Sequence, residues 1–127
     1  MKVEISRTVR EALLAFAAAD PLREVCGLLF GDANCVETAI LVENTAYEPA
    51  ETFEIDPIAL ISAHRSERAG GPRLIGYFHS HPNGLASPSA TDQAMAAPDN
   101  RLWIIIASNT LTAWRSTSSG FVQYGMN

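Results

Sequence analysis

Apolar residues recur along the chain at two different spacings, and the switches between them predict its elements. Lys2 to Ile5 reads as a short strand. Val9, Leu13, Phe16 and Ala17 then fall at helical spacing. They predict an amphipathic helix to about Ala19, capped by Ser6 or Thr8 and ended by Asp20-Pro21. Val25 to Phe30 is an apolar strand turned at Gly31-Asp32, and Cys35 to Val42 is a second, so 25–42 reads as a hairpin. After a loop at 44–50, Phe53-Glu54-Ile55 is expected to form a short edge strand. Asp56-Pro57 then opens a helix to about Arg68, with Asp56 as its cap. Residues 71–78 read as a strand entered from a Gly-Gly-Pro turn and broken by Pro82-Asn83-Gly84. Ser87-Pro88-Ser89 resembles a helix start, with one serine as cap and Pro88 near the first turn. Leu102 to Ala107 is apolar throughout, as in a strand buried on both faces. Thr110–Arg115 and Phe121–Tyr124 finish the chain as strands. Strands and helices interleave, so the expected class is α/β, a mixed β-sheet with helices packed on its faces. No repeat or linker interrupts residues 1–127, which read as one domain.

Composition narrows the function. Hydrophobic residues make up 47%, enough for one core. Nine Lys and Arg against fourteen Asp and Glu leave a net charge of −5, which argues against a nucleic-acid or anionic-membrane surface. No apolar stretch is long enough to span a bilayer. ALLAFAAAD (12–20) looks superficially like the end of a signal peptide, but Glu4 and Glu11 spoil a positive leader and the helical spacing accounts for the stretch. The expected location is the cytoplasm. There Cys26 and Cys35 read as free thiols, Cys26 being a small buried hydrophobe in an apolar strand.

The chemistry concentrates in FHSHPNGLASPSATD, residues 78–92. His79 and His81, two apart, share a face if the strand lasts that far. Ser89 and Asp92, three apart, share one side of the helix that follows. Strand end and helix start can thus bring two imidazoles, a hydroxyl and a carboxylate to one point. Three protein ligands with a free fourth position are what a hydrolytic zinc needs. Ser89-Ala-Thr-Asp92 also fits a capping pattern that requires no metal, although capping does not exclude ligation by the Asp92 carboxylate. His64, Trp103 and Trp114 read as surface or packing residues. No H-E-x-x-H helix and no C-x-x-C pair is present, so other zinc hydrolase patterns fit less well.

His79-Ser-His-Pro82, six residues, Ser89, two residues and Asp92 resemble the signature of the JAMM (MPN-plus) zinc metalloproteases. That family also carries a glutamate in a context like E-x-x-G-L-L-x-G, matched here by Glu24-Val-Cys-Gly-Leu-Leu-Phe-Gly31. The resemblance implies the JAMM/MPN, cytidine-deaminase-like fold and one zinc ion per chain held by His79, His81 and Asp92. It implies Glu24 as general acid/base and Ser89 as the group that supports the tetrahedral intermediate. Members that cut ubiquitin chains usually carry long insertions around the site. At 127 residues the chain looks more like the compact prokaryotic branch, which acts on ubiquitin-like sulfur carriers or their conjugates. Expected substrates therefore end in Gly-Gly, a tail thin enough for a narrow site. Glu51 to Ile55, with Phe53 and Glu54 foremost, could offer that tail an edge to pair with as an added strand. The alternative is a catalytically silent scaffold of the same fold, acting as a binding module. Such relatives usually lose ligands, whereas this sequence keeps them all.

Overall fold

The computed structural model describes residues 1–127. The elements in chain order are β1 (Lys2–Ile5), α1 (Arg7–Ala19), β2 (Cys26–Asp32), β3 (Cys35–Val42) and α2 (Pro57–Arg68). There follow β4 (Leu74–Ser80), α3 (Ala90–Met95), β5 (Leu102–Ala107), β6 (Thr110–Thr117) and β7 (Gly120–Met126). Both long helices begin at the expected caps: Ser6 accepts from the Val9 N–H, and Asp56 from the Ile58 N–H ahead of Pro57.

The strands pair in the order β1-β3-β2-β4-β5-β6-β7, and β7 returns to β1. Three pairs are parallel, β1–β3, β1–β7 and β4–β5, and the others are antiparallel. The sheet is mixed, as expected, but it also closes on itself, which the strand pattern did not predict. The short strand β1 serves both neighbours at once, pairing two residues with β3 and two with β7.

Leu28 and Leu29, successive on β2, face opposite sides of the sheet. Leu29 joins a core with Val9 and Leu13 of α1, Val36, Phe78 and Ile104. Leu28 joins a smaller cluster with Ala63 of α2 and Leu74. Each face therefore has its own helix, and burial of a side chain such as Leu13, 0% exposed, contributes about 2 kcal/mol. β5, predicted as buried on both faces, has all six residues buried. No helix is long and apolar enough to cross a membrane.

Three local expectations need correction. The β2–β3 turn lies at Ala33-Asn34 rather than Gly31-Asp32: β2 runs on to Asp32, and a register shift at Phe30/Gly31 absorbs the irregularity. Residues 53–55 form no strand, only a single antiparallel bridge between Asn44 and Ile55. Pro88 lies outside α3, which Ser89 caps.

Because β2 and β4 are antiparallel, the start of β2 and the end of β4 meet at one end of the sheet, with Cys26 opposite His79. The parallel pairing of β4 with β5 brings Ile105 beside His79 at the same end. Glu24, His79 and His81 thereby come together from distant parts of the sequence.

Candidate metal centre

β4 ends at Ser80, but its ladder continues through the His81 N–H, which donates to the Ile106 carbonyl at 2.9 Å. The extended path is thus kept for one residue more, and His79 and His81 aim at the same point. Pro82-Asn83-Gly84 then turns the chain. Gly84, at φ +78°, takes the left-handed conformation the turn requires, and its N–H closes on the His81 carbonyl at 3.0 Å. The turn returns the Leu85 carbonyl to His81 Nδ1, 2.6 Å away. A carbonyl can only accept, so Nδ1 holds the proton and the Nε2 lone pair faces the centre.

His79 is fixed differently. Its ring, 0% exposed, stacks on Phe53 at 4.3 Å between centroids and meets Trp103 edge-on at 5.6 Å. Its Nδ1 has no hydrogen-bond partner. On the Nδ1 side, packing against Phe53 and Trp103 holds the ring.

Asp92 arrives on the first turn of α3 through a capping box. Ser89 Oγ accepts from the Asp92 N–H at 3.0 Å, and Asp92 Oδ2 accepts from the Ser89 N–H at 2.9 Å. Capping and convergence coexist, because the same Oδ2 lies 3.0 Å from His79 Nε2 and 3.0 Å from His81 Nε2. The two Nε2 atoms are themselves 3.0 Å apart.

Glu24 stands just before β2, 5% exposed, with Oε1 unpartnered. Ser80, between the two histidines, holds this segment in place. Its Oγ accepts from the Val25 N–H at 2.9 Å, and its own N–H donates to the Val25 carbonyl at 3.0 Å. Ligand atoms of Glu24, His79, His81 and Asp92 all lie within 4.8 Å of one another.

The electrostatics follow from burial and mutual contact. Burial pushes the Glu24 carboxyl up to about 7, against a smaller opposing pull from His81. Burial acts the same way on Asp92, but hydrogen bonds from His79 and His81 outweigh it and hold the carboxyl well below the usual range. Burial lowers His79. His81 is raised: burial opposes its charge, but contacts with Asp92 and the Leu85 carbonyl prevail. Burial, aided by the Glu24 charge, pushes the Cys26 thiol up to about 12, so Cys26 is the inert hydrophobe expected. Neither cysteine is in a disulfide.

This donor set suits a divalent metal. Two Nε2 atoms and one carboxylate oxygen form a triangle with 3.0 Å edges. Tetrahedral zinc with ligands at about 2.0 Å has ligand–ligand edges of about 3.3 Å. With the His81 lone pair turned inward, three electron-rich atoms converge where only a cation or a proton relieves their repulsion. Nitrogen and carboxylate donors in this number match open zinc sites.

Residues 6–117 match the model of the prokaryotic homologs of the JAB domain. The chain belongs to this family. Among its relatives, a desampylase of Haloferax volcanii is 33% identical over 127 residues, an alignment covering 94% of this chain and 91% of the relative. A probable TtuB-protein conjugate cleaving protease of Thermus thermophilus is 32% identical over 88 residues, covering 69% of this chain and 59% of the relative. The solution structure of a Desulfitobacterium hafniense protein superposes with a TM-score of 0.84 at 29% identity, covering 100% of this chain and 92% of the other.

In this JAB-family chain the fold brings together Glu24, His79, His81 and Asp92, with Ser89 at the cap beside them. Phe53 is also at the site, as the wall against His79, and Glu54, though exposed, lines the cleft that opens beside it. An apolar cleft of about 360 Å³, lined by Phe53, Ile55, Leu60, Tyr77, Met95 and Trp103, opens beside Asp92. Four contributors escaped the sequence reading: Ser80, the Leu85 carbonyl, Trp103 as a wall of the His79 pocket, and Asn44. The serine inside H-S-H-P was the one visible signal, since a polar residue between two candidate ligands on a buried strand needs its own partner.

Proposed function

We propose that the chain is a single zinc metallopeptidase domain, cytoplasmic, that hydrolyses the bond following the C-terminal Gly-Gly of ubiquitin-like or sulfur-carrier proteins. The observation that carries this reading is the buried triangle of His79, His81 and Asp92 with the Glu24 carboxyl inside 4.8 Å. The names of the Haloferax and Thermus relatives support a conjugate-cleaving activity.

His79, His81 and Asp92 would hold the metal, two neutral imidazoles and one carboxylate leaving it net positive charge. Bound there, zinc supplies Lewis acidity toward a carbonyl oxygen and makes water more acidic. Glu24, buried and without a partner at Oε1, is placed to take a proton from an attacking water and to pass it to the leaving amine. A carboxyl whose affinity for protons sits near neutrality suits both transfers. Ser89 Oγ already accepts from the Asp92 N–H, so its own hydrogen remains free to donate to the developing oxyanion. Phe53 and Trp103 exclude water from the His79 face.

The substrate tail has a natural track. Glu54 directs both backbone groups to the 44–45 segment: its carbonyl accepts from the Thr45 N–H at 3.0 Å and its N–H donates to Asn44 Oδ1 at 3.1 Å. Successive residues of an extended segment face opposite ways. The Phe53 N–H and carbonyl, engaged in no hydrogen bond, are thus free on the other side to accept an added strand. Gly-Gly brings no side chains into the narrow approach between Phe53 and Asp92. The test compares a carrier protein extended past Gly-Gly with the same protein bearing Ala-Val there. Cleavage only of the Gly-Gly form is expected. Equal cleavage of both discards the narrow track, and an unchanged rate in Phe53→Pro discards strand pairing at this edge.

A further inference from the structure

Asn44 lies outside the ligand set, yet its carboxamide is fully used. Nδ2 donates to the Glu24 carbonyl at 2.8 Å and to the Thr52 carbonyl at 3.0 Å. Oδ1 accepts from the Ala46 N–H at 3.0 Å and the Glu54 N–H at 3.1 Å. Two donors and two acceptors exhaust what an asparagine side chain offers. The four partners come from three places: the segment bearing Glu24, the turn at 46, and the 52–54 segment whose outer edge is free. The Glu24 N–H adds a bond of its own to this loop, donating to the Pro49 carbonyl at 2.7 Å.

We infer that Asn44 is a positioning residue that joins Glu24 and the strand-accepting segment 52–54 into one rigid unit. The inference rests on the proposed roles of Glu24 and of the Phe53 edge. Residues 53–55 pair with their neighbours only through the Asn44–Ile55 bridge and the Thr45–Glu54 bond, far short of a strand ladder. The carboxamide stands in for the missing rungs, holding the Thr52 carbonyl and the Glu54 N–H inward. By alternation the Phe53 N–H and carbonyl are then held outward. The same side chain grips the Glu24 carbonyl, so a tail docked on Phe53 and the carboxyl that serves its scissile bond share one reference point. A shift of one relative to the other by about 1 Å is enough to cost on the order of 10² in rate.

Asn44→Asp is the sharpest perturbation. It keeps the shape and both acceptors but sets a carboxylate against the two carbonyls that Nδ2 served. The assay uses the zinc-loaded chain and a short peptide ending in Gly-Gly joined to a lysine Nε. Asn44→Asp and Asn44→Ala are expected to keep stoichiometric zinc, to raise KM several-fold and to lower kcat by tenfold or more. Val9→Ala, a core truncation remote from the site, serves as the control for lost stability and is expected to change neither constant per bound zinc. Amide exchange of the wild-type chain gives a second readout free of any folding defect. The Glu54 N–H should be protected at all times, and the Phe53 N–H only when a peptide ending in Gly-Gly is present. Asn44 variants with both constants within twofold of wild type, or an unprotected Glu54 N–H, overturn the inference. Glu24→Gln in the same assay separates the two levels: if it too is fully active, the proposed chemistry fails; if it alone is dead, only the role of Asn44 fails.

Discussion

Replacing Glu24 by Gln should stabilise the metal-free protein while abolishing its turnover. Glu24 is 5% exposed with an unpartnered oxygen, and burial moves its carboxyl from 4.5 to about 7. Below pH 4.5 the group is protonated in both the folded and the unfolded chain. As pH rises the unfolded chain ionises first and the folded chain only near 7, so stability is lost through that window and stays lower above it. At about 1.4 kcal/mol per pH unit between the two values, the full loss is about 3 kcal/mol. Gln has the same shape and does not titrate, so it escapes the loss. The assay is urea denaturation of wild type and Glu24→Gln in chelator at pH 5 and pH 8. The stability difference should move by about 2–3 kcal/mol in favour of Gln between the two. A difference that stays constant across the window refutes the claim that this carboxylate is buried at a cost to the fold.

Other expectations follow from the same geometry. His79→Ala, His81→Ala and Asp92→Ala should each purify without stoichiometric zinc, because each removes one of three donors placed 3.0 Å apart; full zinc content in any of them by metal analysis removes that residue from the ligand set. Ser89→Ala should lower kcat by about 10²–10³ with little change in KM, as for one lost oxyanion donor. The same change deletes the α3 cap, worth about 1 kcal/mol, so urea denaturation must accompany the kinetics. A near wild-type kcat would leave Ser89 only its capping role.

Much of this was legible in the chain itself. Leu102–Ala107 is apolar without a break because neighbours cover both its faces, and Cys35–Val42 is bounded by turns, so both strands stand where expected. His79, His81 and Asp92 lie within fourteen residues, close enough for local geometry to place them. What the sequence hid depends on contacts between distant segments. Closure of the sheet needs β1 to pair with both β3 and β7, and four residues leave no mark of two partners. The β2–β3 turn escaped because Ala33, at φ 49°, takes a conformation usually signalled by glycine, while Gly31 drew the reading two residues early. The 53–55 segment is β-rich in composition, yet side-chain bonds to Asn44 replace most of its ladder. The joining of Val25, next to Glu24, to β4 through Ser80 spans 55 positions and has no local signature.

Metal-dependent hydrolysis after Gly-Gly leaves its signature in the mass of the products. The zinc-loaded chain is incubated in ¹⁸O-labelled water with a sulfur-carrier protein joined through Gly-Gly to a lysine Nε. The expected products are a carrier ending in an intact Gly-Gly carboxylate with one labelled oxygen and a released lysine amine, neither of them formed with chelator or with Glu24→Gln. A conjugate left whole by the fully zinc-loaded chain, or one cleaved equally well in chelator, would contradict that reaction.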